Sequence, residues 1–308
     1  MYGGQAVIEG VMMRSPSYWS VAVRRPNGEM AEVWRPIESV MKRRWYLRLP
    51  LLRGVIALGE SLAIGFRALA ISTRYAAEED ADGGEGVELS RWAIASMFTF
   101  AIVFALGLFK VGPGVLARLL PVDGGWFVIV EGVIRVIVLV LYLALISLLP
   151  DLRRVFAYHG AEHKVINAYE ANEELTPKKV ARFSVIHPRC GTAFLLWVMV
   201  IAIFVYAFFG RPSWYWLIAS RILFLPLIAG LAYELIRFAG KHRENRVLAA
   251  LLAPGLWLQR LTTREPSLDQ IEIAIAAFTR VYELEGEAEA EAESTAETVA
   301  ARRIDVMA

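Results

Sequence analysis

The chain of 308 residues is 56% hydrophobic with a mean hydropathy of +0.45, yet 21% of its residues are charged. That excludes an ordinary soluble protein: the apolar residues must be gathered into blocks, as in a polytopic membrane protein with a sizeable aqueous portion. A formal net charge of +2 implies no pull toward nucleic acid, and a single cysteine, Cys190, excludes an internal disulfide.

The first 45 residues are polar and hold no continuous apolar core, so no cleavable signal peptide is expected. Gln5–Met13, Trp19–Arg25 and Met30–Ile37 are short segments with β-branched and aromatic residues. Pro26-Asn27-Gly28 between the last two is a hairpin signal, because Asn-Gly favours the positive φ of a tight turn. A small cytoplasmic β-meander of two or three strands is predicted over 1–45. Its first run, Gly3 to Arg14, carries Glu9 and Arg14 in a mostly apolar stretch, and reads as a β-edge with turn glycines or as a binding loop.

Residues 46–75 are apolar but interrupted by Arg53, Glu60 and Arg67, seven apart and so on one helical stripe. A charged stripe belongs against protein or the membrane surface, which predicts an in-plane or bundle-buried amphipathic helix. Residues 76–90 form an acidic, Gly-rich linker. Within 91–283, four stretches have the length and apolarity of membrane spans: Trp92–Phe109, Trp126–Leu149, Ala193–Phe209 and Trp214–Ala239. Glu131 and Arg135 are an i,i+4 pair that can neutralise itself inside the bundle. Arg221 and Glu234 stand near the two ends of the fourth span, where snorkelling or structural pairing is favoured over a transport role.

Loop charges orient these spans. The basic residues cluster before Leu49, in the 150–191 loop and over 240–264, while the turns at 110–125 and 210–213 hold only Lys110, Arg118 and Arg211. With four spans every basic segment falls on one side, which places both termini in the cytoplasm. Pro254 to Arg260 reads as an interfacial turn and Leu268–Glu283 as an amphipathic helix. The Ala/Glu-rich tail, 284–308, has no aromatics and is expected to be disordered.

Between the second and third spans, Tyr158-His159-Gly160-Ala161-Glu162-His163-Lys164 holds two of only four histidines. On a helix their spacing brings two imidazoles and a carboxylate onto one face. A divalent metal needs neutral nitrogens as ligands and a carboxylate beside them to handle the proton of a bound water. The letters H-x-x-E-H are also those of the inverted zincins. About 25 residues on, His187-Pro188-Arg189-Cys190 adds an imidazole and the only thiol. His159, His163, His187 and Cys190 are therefore candidate ligands of a divalent metal, with zinc suited to the donor types, and Glu162 is the candidate catalytic base. The other reading is an interfacial helix whose histidines cap carbonyls or bind lipid phosphates.

The stretches GGQAVIEGVMMRSP at 3–16, RGVIALGESLAIGFRALA at 53–70, YHGAEHKVINAYE at 158–170 and HPRCGTAFLL at 187–196 resemble the YqhQ-like bacterial membrane proteins, a domain of unknown function. PLIAGLAYELIRFAGKH at 226–242 and PGLWLQRLTTREP at 254–266 carry the same resemblance, which covers nearly the whole chain outside the linker and tail. It implies a predicted metal-dependent enzyme of the bacterial inner membrane, with His159, Glu162 and His163 in its metal site.

The expected fold is thus mainly α: a four-span helical bundle, an in-plane or buried helix and a small β-meander. Three functions follow. One is a metal-dependent hydrolase acting at the cytoplasmic surface on a lipid-like or membrane-embedded substrate. The second is a non-catalytic scaffold, assembly factor or lipid-binding oligomer. The third is a small oligomeric transporter with Arg53, Glu60, Arg67, Glu131, Arg135 and Glu234 along a polar path. The expected partners are the lipid bilayer and further copies of the chain.

Overall fold

The computed structural model describes residues 2–42, 44–77, 91–209, 213–241 and 245–307. The linker expected over 76–90 lies, from residue 78 on, outside the described residues. The N-terminal segment is an antiparallel meander of four strands in sequential order: β1 (Gly3–Val7), β2 (Gly10–Arg14), β3 (Tyr18–Arg24) and β4 (Met30–Pro36). One more strand forms than the sequence reading allowed, because Gln5–Met13 folds back on itself. Val7 pairs with Gly10, leaving Ile8 and Glu9 as the turn, with Glu9 at φ 53°. The predicted hairpin turn is present, with Gly28 at φ 86°.

Alternation along the strands sends apolar side chains to both faces, so the sheet needs a cover on each. Val7, Met12, Trp19, Val21 and Val23 pack against Ile64 and Ala68 of helix α1 (Leu52–Ala77). Val11, Met13 and Ala22 pack on the opposite side against α5 (Pro150–Glu170) and α11 (Leu268–Met307). Polar ties fix α11 to the sheet. The Ser20 hydroxyl donates to the Ala277 carbonyl at 2.6 Å, and the Glu285 carboxylate accepts from Ser15 Oγ and from the amide and hydroxyl of Ser17. Contrary to the expected disorder, α11 continues through the acidic tail to Met307. Alanine and glutamate are strong helix formers, and the packed first half of α11 supplies the nucleus that an isolated tail would lack.

The remaining helices are α2 (Arg91–Leu106), α3 (Gly112–Arg118), α4 (Gly124–Ile146), α6 (Pro177–Val180), α7 (Gly191–Ala207), α8 (Trp214–Leu223), α9 (Leu225–Lys241) and α10 (Arg246–Thr262). A π-helical segment, Gly107–Val111, joins α2 to α3. Helix α7 packs against α4, α9 and α10 at the centre of the apolar bundle. Among the described residues, four helices are long and apolar enough to cross a membrane: Leu52–Ala76, Thr99–Arg118, Gly124–Ile146 and Ala219–Ala239.

This set differs from the sequence reading by one member. Helix α1 meets the criterion despite its charges, while α7 is a shorter apolar helix of 17 residues. The stripe on α1 has explicit partners. Arg53 donates twice to Glu234 on α9, and Glu60 accepts from Ser39 Oγ and the Val40 amide, whereas Arg67 is exposed. Helix α1 therefore spends its first turns on the bundle and its last turns on the sheet. The interfacial turn expected at Pro254 is instead the interior of α10, which continues through the proline.

Phe278 anchors the covered sheet face, with ring centroids 5.1 Å from Tyr2 and 4.8 Å from Tyr169. Phe278→Ala is expected to destabilise the protein by about 3–5 kcal/mol, while Phe204→Ala, on an exposed face of α7, changes little. Thermal unfolding in detergent compares the two.

Candidate metal centre

Helix α5 starts at Pro150, with Asp151 in its first turn, and carries the H-x-x-E-H letters through its buried middle. One face of α5 closes over a stretch of chain that has no regular structure of its own. Lys164 Nζ donates to the carbonyls of Ala181 and Phe183, and also meets Glu265. Asn167 Nδ2 donates to the carbonyls of Ser184 and Ile186, and His163 Nδ1 lies 2.6 Å from the Val185 carbonyl. Gln259 on α10 completes the set, accepting from the His187 amide and donating to its carbonyl. These bonds supply partners that the irregular backbone could not find within itself.

Both motif histidines are oriented by such contacts. His159 Nδ1 lies 2.8 Å from the Thr262 carbonyl, as His163 Nδ1 does from Val185. A carbonyl can only accept, so each Nδ1 carries the proton and each Nε2 keeps a lone pair directed away. That is the arrangement by which backbone carbonyls set the tautomer of metal-ligating histidines. The two rings are 4.4 Å apart, and Cys190 Sγ, just ahead of α7, is 3.4 Å from His159 Nε2. Donor atoms of His159, His163 and Cys190 all lie within 4.8 Å of one another. Tetrahedral zinc with such ligands needs donors roughly 3.3–3.8 Å apart, so two nitrogens and a sulfur fit after a contraction of about 1 Å.

The other two motif candidates lie outside this group. The His187 ring sits 5.8 Å from that of His163, and its Nε2 is 3.6 Å from Glu170, which also pairs with Arg189. Glu162 is buried beneath β1, where its carboxylate accepts the Gly4 amide. Burial pushes this carboxyl up to about 7, against the opposing pull of His159 and the Gly4 amide. Gly4 permits the approach, since a Cβ there would stand 2.8 Å from Glu162 Cγ and 2.6 Å from the Met12 carbonyl.

The remaining charged candidates form separate pairs. Glu9 pairs with Arg154 and accepts from the Tyr158 hydroxyl; Arg14 donates to Ser61; Arg53 meets Glu234; Glu131 meets Arg135. Sequence reasoning missed the residues that support the centre: Gly160, Val185, Gln259 and Thr262. Gly160 alone left a signal, as a glycine inside a helical pattern. A Cβ on it would stand 2.1 Å from the Arg264 carbonyl, so its absence lets α5 reach the strand of chain that orients His159.

The model of a family described as protein of unknown function (DUF1385) matches residues 49–284. Over 295 residues, 92% of this chain and 93% of the relative, the sequence is 34% identical to a protein of Bacillus subtilis (strain 168) named uncharacterized protein YqhQ. No solved structure matches.

Gly160→Ala is expected to cost about 1–3 kcal/mol, because the added methyl meets backbone. Gly191→Ala, where a Cβ meets nothing within 4 Å, is the neutral comparison. Equal melting temperatures for the two variants would refute the close approach.

Proposed function

The chain belongs to the DUF1385 family of proteins of unknown function, and on that premise we propose that it is a membrane-embedded, metal-dependent hydrolase. His159, His163 and Cys190 would hold one divalent metal. Two imidazoles and a thiolate favour zinc among the common ions. The observation that carries this reading is the convergence of three donors: each imidazole is held at Nδ1 by a backbone carbonyl, His159 Nε2 lies 3.4 Å from Cys190 Sγ, and a donor atom of His163 lies within 4.8 Å of both.

Three protein donors are the number found in catalytic zinc sites, which keep a fourth position open, whereas structural sites use four. When bound, the metal would supply Lewis acidity. The chain's own contribution is a carboxyl poised to exchange a proton. Glu162, pushed up to about 7, is matched to proton transfer near neutral pH, and the Gly4 amide holds it in place. Substrate class is read from the surroundings. An apolar groove of about 670 Å³ opens beside the loop that carries His187, lined by Ile186, Pro188, Leu252, Leu256 and Trp257. Such a wall suits a lipid-like molecule or a membrane-embedded segment. Four helices of the length and apolarity of spans support a bilayer location. The basic segments favour a centre at the cytoplasmic face of the inner membrane with both termini on that side, an orientation in which α2–α3, α4, α7 and α8–α9 cross and α1 joins bundle to head without crossing.

A second reading has its own observation. His163 and Cys190 are buried, and they join α5 to the start of α7. A metal there would also clasp the sheet-bearing head to the bundle without any turnover.

Protein purified without chelators and supplied with zinc should hold about one metal per chain by elemental analysis. His159→Ala, His163→Ala and Cys190→Ala should each lose most of it, while Glu162→Gln should retain it and lose hydrolysis of phospholipid vesicles or fluorogenic esters. Loss of zinc in Glu162→Gln would make Glu162 a ligand and remove the base. Full zinc with no turnover in the wild type favours the clasp.

Sidedness is tested by single cysteines at Asn27 and Ser213 in a Cys190→Ser background. Only Ser213→Cys should react with an impermeant maleimide in intact cells. Labelling of Asn27→Cys from outside would overturn the orientation.

A further inference from the structure

Three charged side chains meet inside the bundle, away from the metal centre. Glu131 and Arg135 are one turn apart on α4 and form an ion pair, and Arg221 on α8 reaches the same carboxylate at 2.6 Å. All three are buried. Lys110, in the π-helical segment, lies within electrostatic reach of both arginines and of Glu131. Among the described residues, two buried arginines thus share a single carboxylate.

The hydrogen bonds show where charge is left over. Arg135 gives Nη2 to Glu131 and Nε to the Phe109 carbonyl at 3.0 Å, in the same π-helical segment as Lys110. Arg221 gives Nη2 to Glu131 and lays its guanidinium over the Tyr206 ring at 3.6 Å. Among the described residues, its Nε and Nη1 are buried without an acceptor. Donors of a desolvated guanidinium are rarely left in this state, since the cost of burying the charge is recovered only through partners. Glu131 and Arg221 each stand seven residues into their helices, roughly 10 Å from the helix starts at 1.5 Å per residue. Those starts lie at the end of the bundle opposite the head, because α4 runs from there into α5 and α7 returns to it before α8.

We propose that this cluster binds a phosphate-type oxyanion, with Arg221 Nε and Nη1 as its donors. An oxyanion offers several acceptor oxygens to donors spread around it and adds the missing negative charge. The source is either free phosphate or the headgroup of an anionic phospholipid. The site is independent of the metal reading, and either can fail alone.

The full chain in dodecyl maltoside, in gluconate buffer, should show a saturable rise in melting temperature on titration with inorganic phosphate. Arg221→Gln should abolish the saturable rise. Arg221→Lys, which keeps the charge but offers one nitrogen, should weaken half-saturation tenfold or more, and serves if Arg221→Gln does not fold. Glu131→Gln, which removes the competing carboxylate, should move half-saturation to lower phosphate. Native mass spectrometry separates the sources: one phosphatidylglycerol retained by wild type and lost in Arg221→Lys identifies a headgroup, and a phosphate response without retained lipid identifies the free anion. An equal response to chloride at matched ionic strength overturns the proposal. So does a phosphate response unchanged in Arg221→Lys, or a wild-type protein with neither response nor retained lipid.

Discussion

The backbone from Ala181 to His187 passes between the head and the bundle with no strand or helix to satisfy its carbonyls, and everything around it is arranged to do so. Lys164, Asn167 and His163, all on one face of α5, provide donors for five of those carbonyls, and Gln259 on α10 takes the sixth together with the His187 amide. A carbonyl shielded from water and left unpaired costs about 1–3 kcal/mol, so this segment is held in its path only while α5 stays in place. The same face of α5 presents the metal-site histidines. Their positions follow from this backbone requirement as well as from any ligand, because the carbonyl that satisfies each Nδ1 also decides where its Nε2 points.

The head follows from a second constraint. A sheet with apolar side chains on both faces cannot stand in water, so it recruits α1 on one side and α5 with α11 on the other. Each of these covers has a further attachment. Helix α1 reaches α9 through the Arg53–Glu234 pair, and α5 follows directly from α4. Head and bundle are thus coupled by helices that belong to both, and α5 lies where the two meet.

Charge is handled differently in the two regions. Around α5, charged side chains end on carbonyls or on partners near solvent, such as Glu9 with Arg154 and Glu170 with Arg189. Inside the bundle, Glu131 is shared between Arg135 and Arg221. Read from sequence, Glu131 and Arg135 formed a self-neutralising pair one helical turn apart. Arg221 alters that balance, and no spacing rule could bring it in, because it arrives from a different helix 90 residues away.

The sequence by itself determined the elements governed by local periodicity and composition. The apolar blocks, the Asn-Gly hairpin, the helix carrying His159, Glu162 and His163, and the facing of Arg53 and Glu60 toward protein all follow from side-chain spacing along one segment. It misjudged elements whose outcome depends on a neighbour. The tail looks disordered until its first half is packed against the sheet. Pro254 looks like a turn until α10 is set beside α7. The partner of Arg53, Glu234 on α9, could not be read from the spacing that set its face. At the site, donor types could be read along the chain, but the tertiary structure decided which of them converge. It joined Cys190 to His159 and His163, turned His187 toward Glu170, and placed Glu162 under β1. The physical reason is that convergence rests on backbone approach between distant segments, through Gly160 against Arg264 and Gly4 against Glu162, and such contacts leave no period in the sequence.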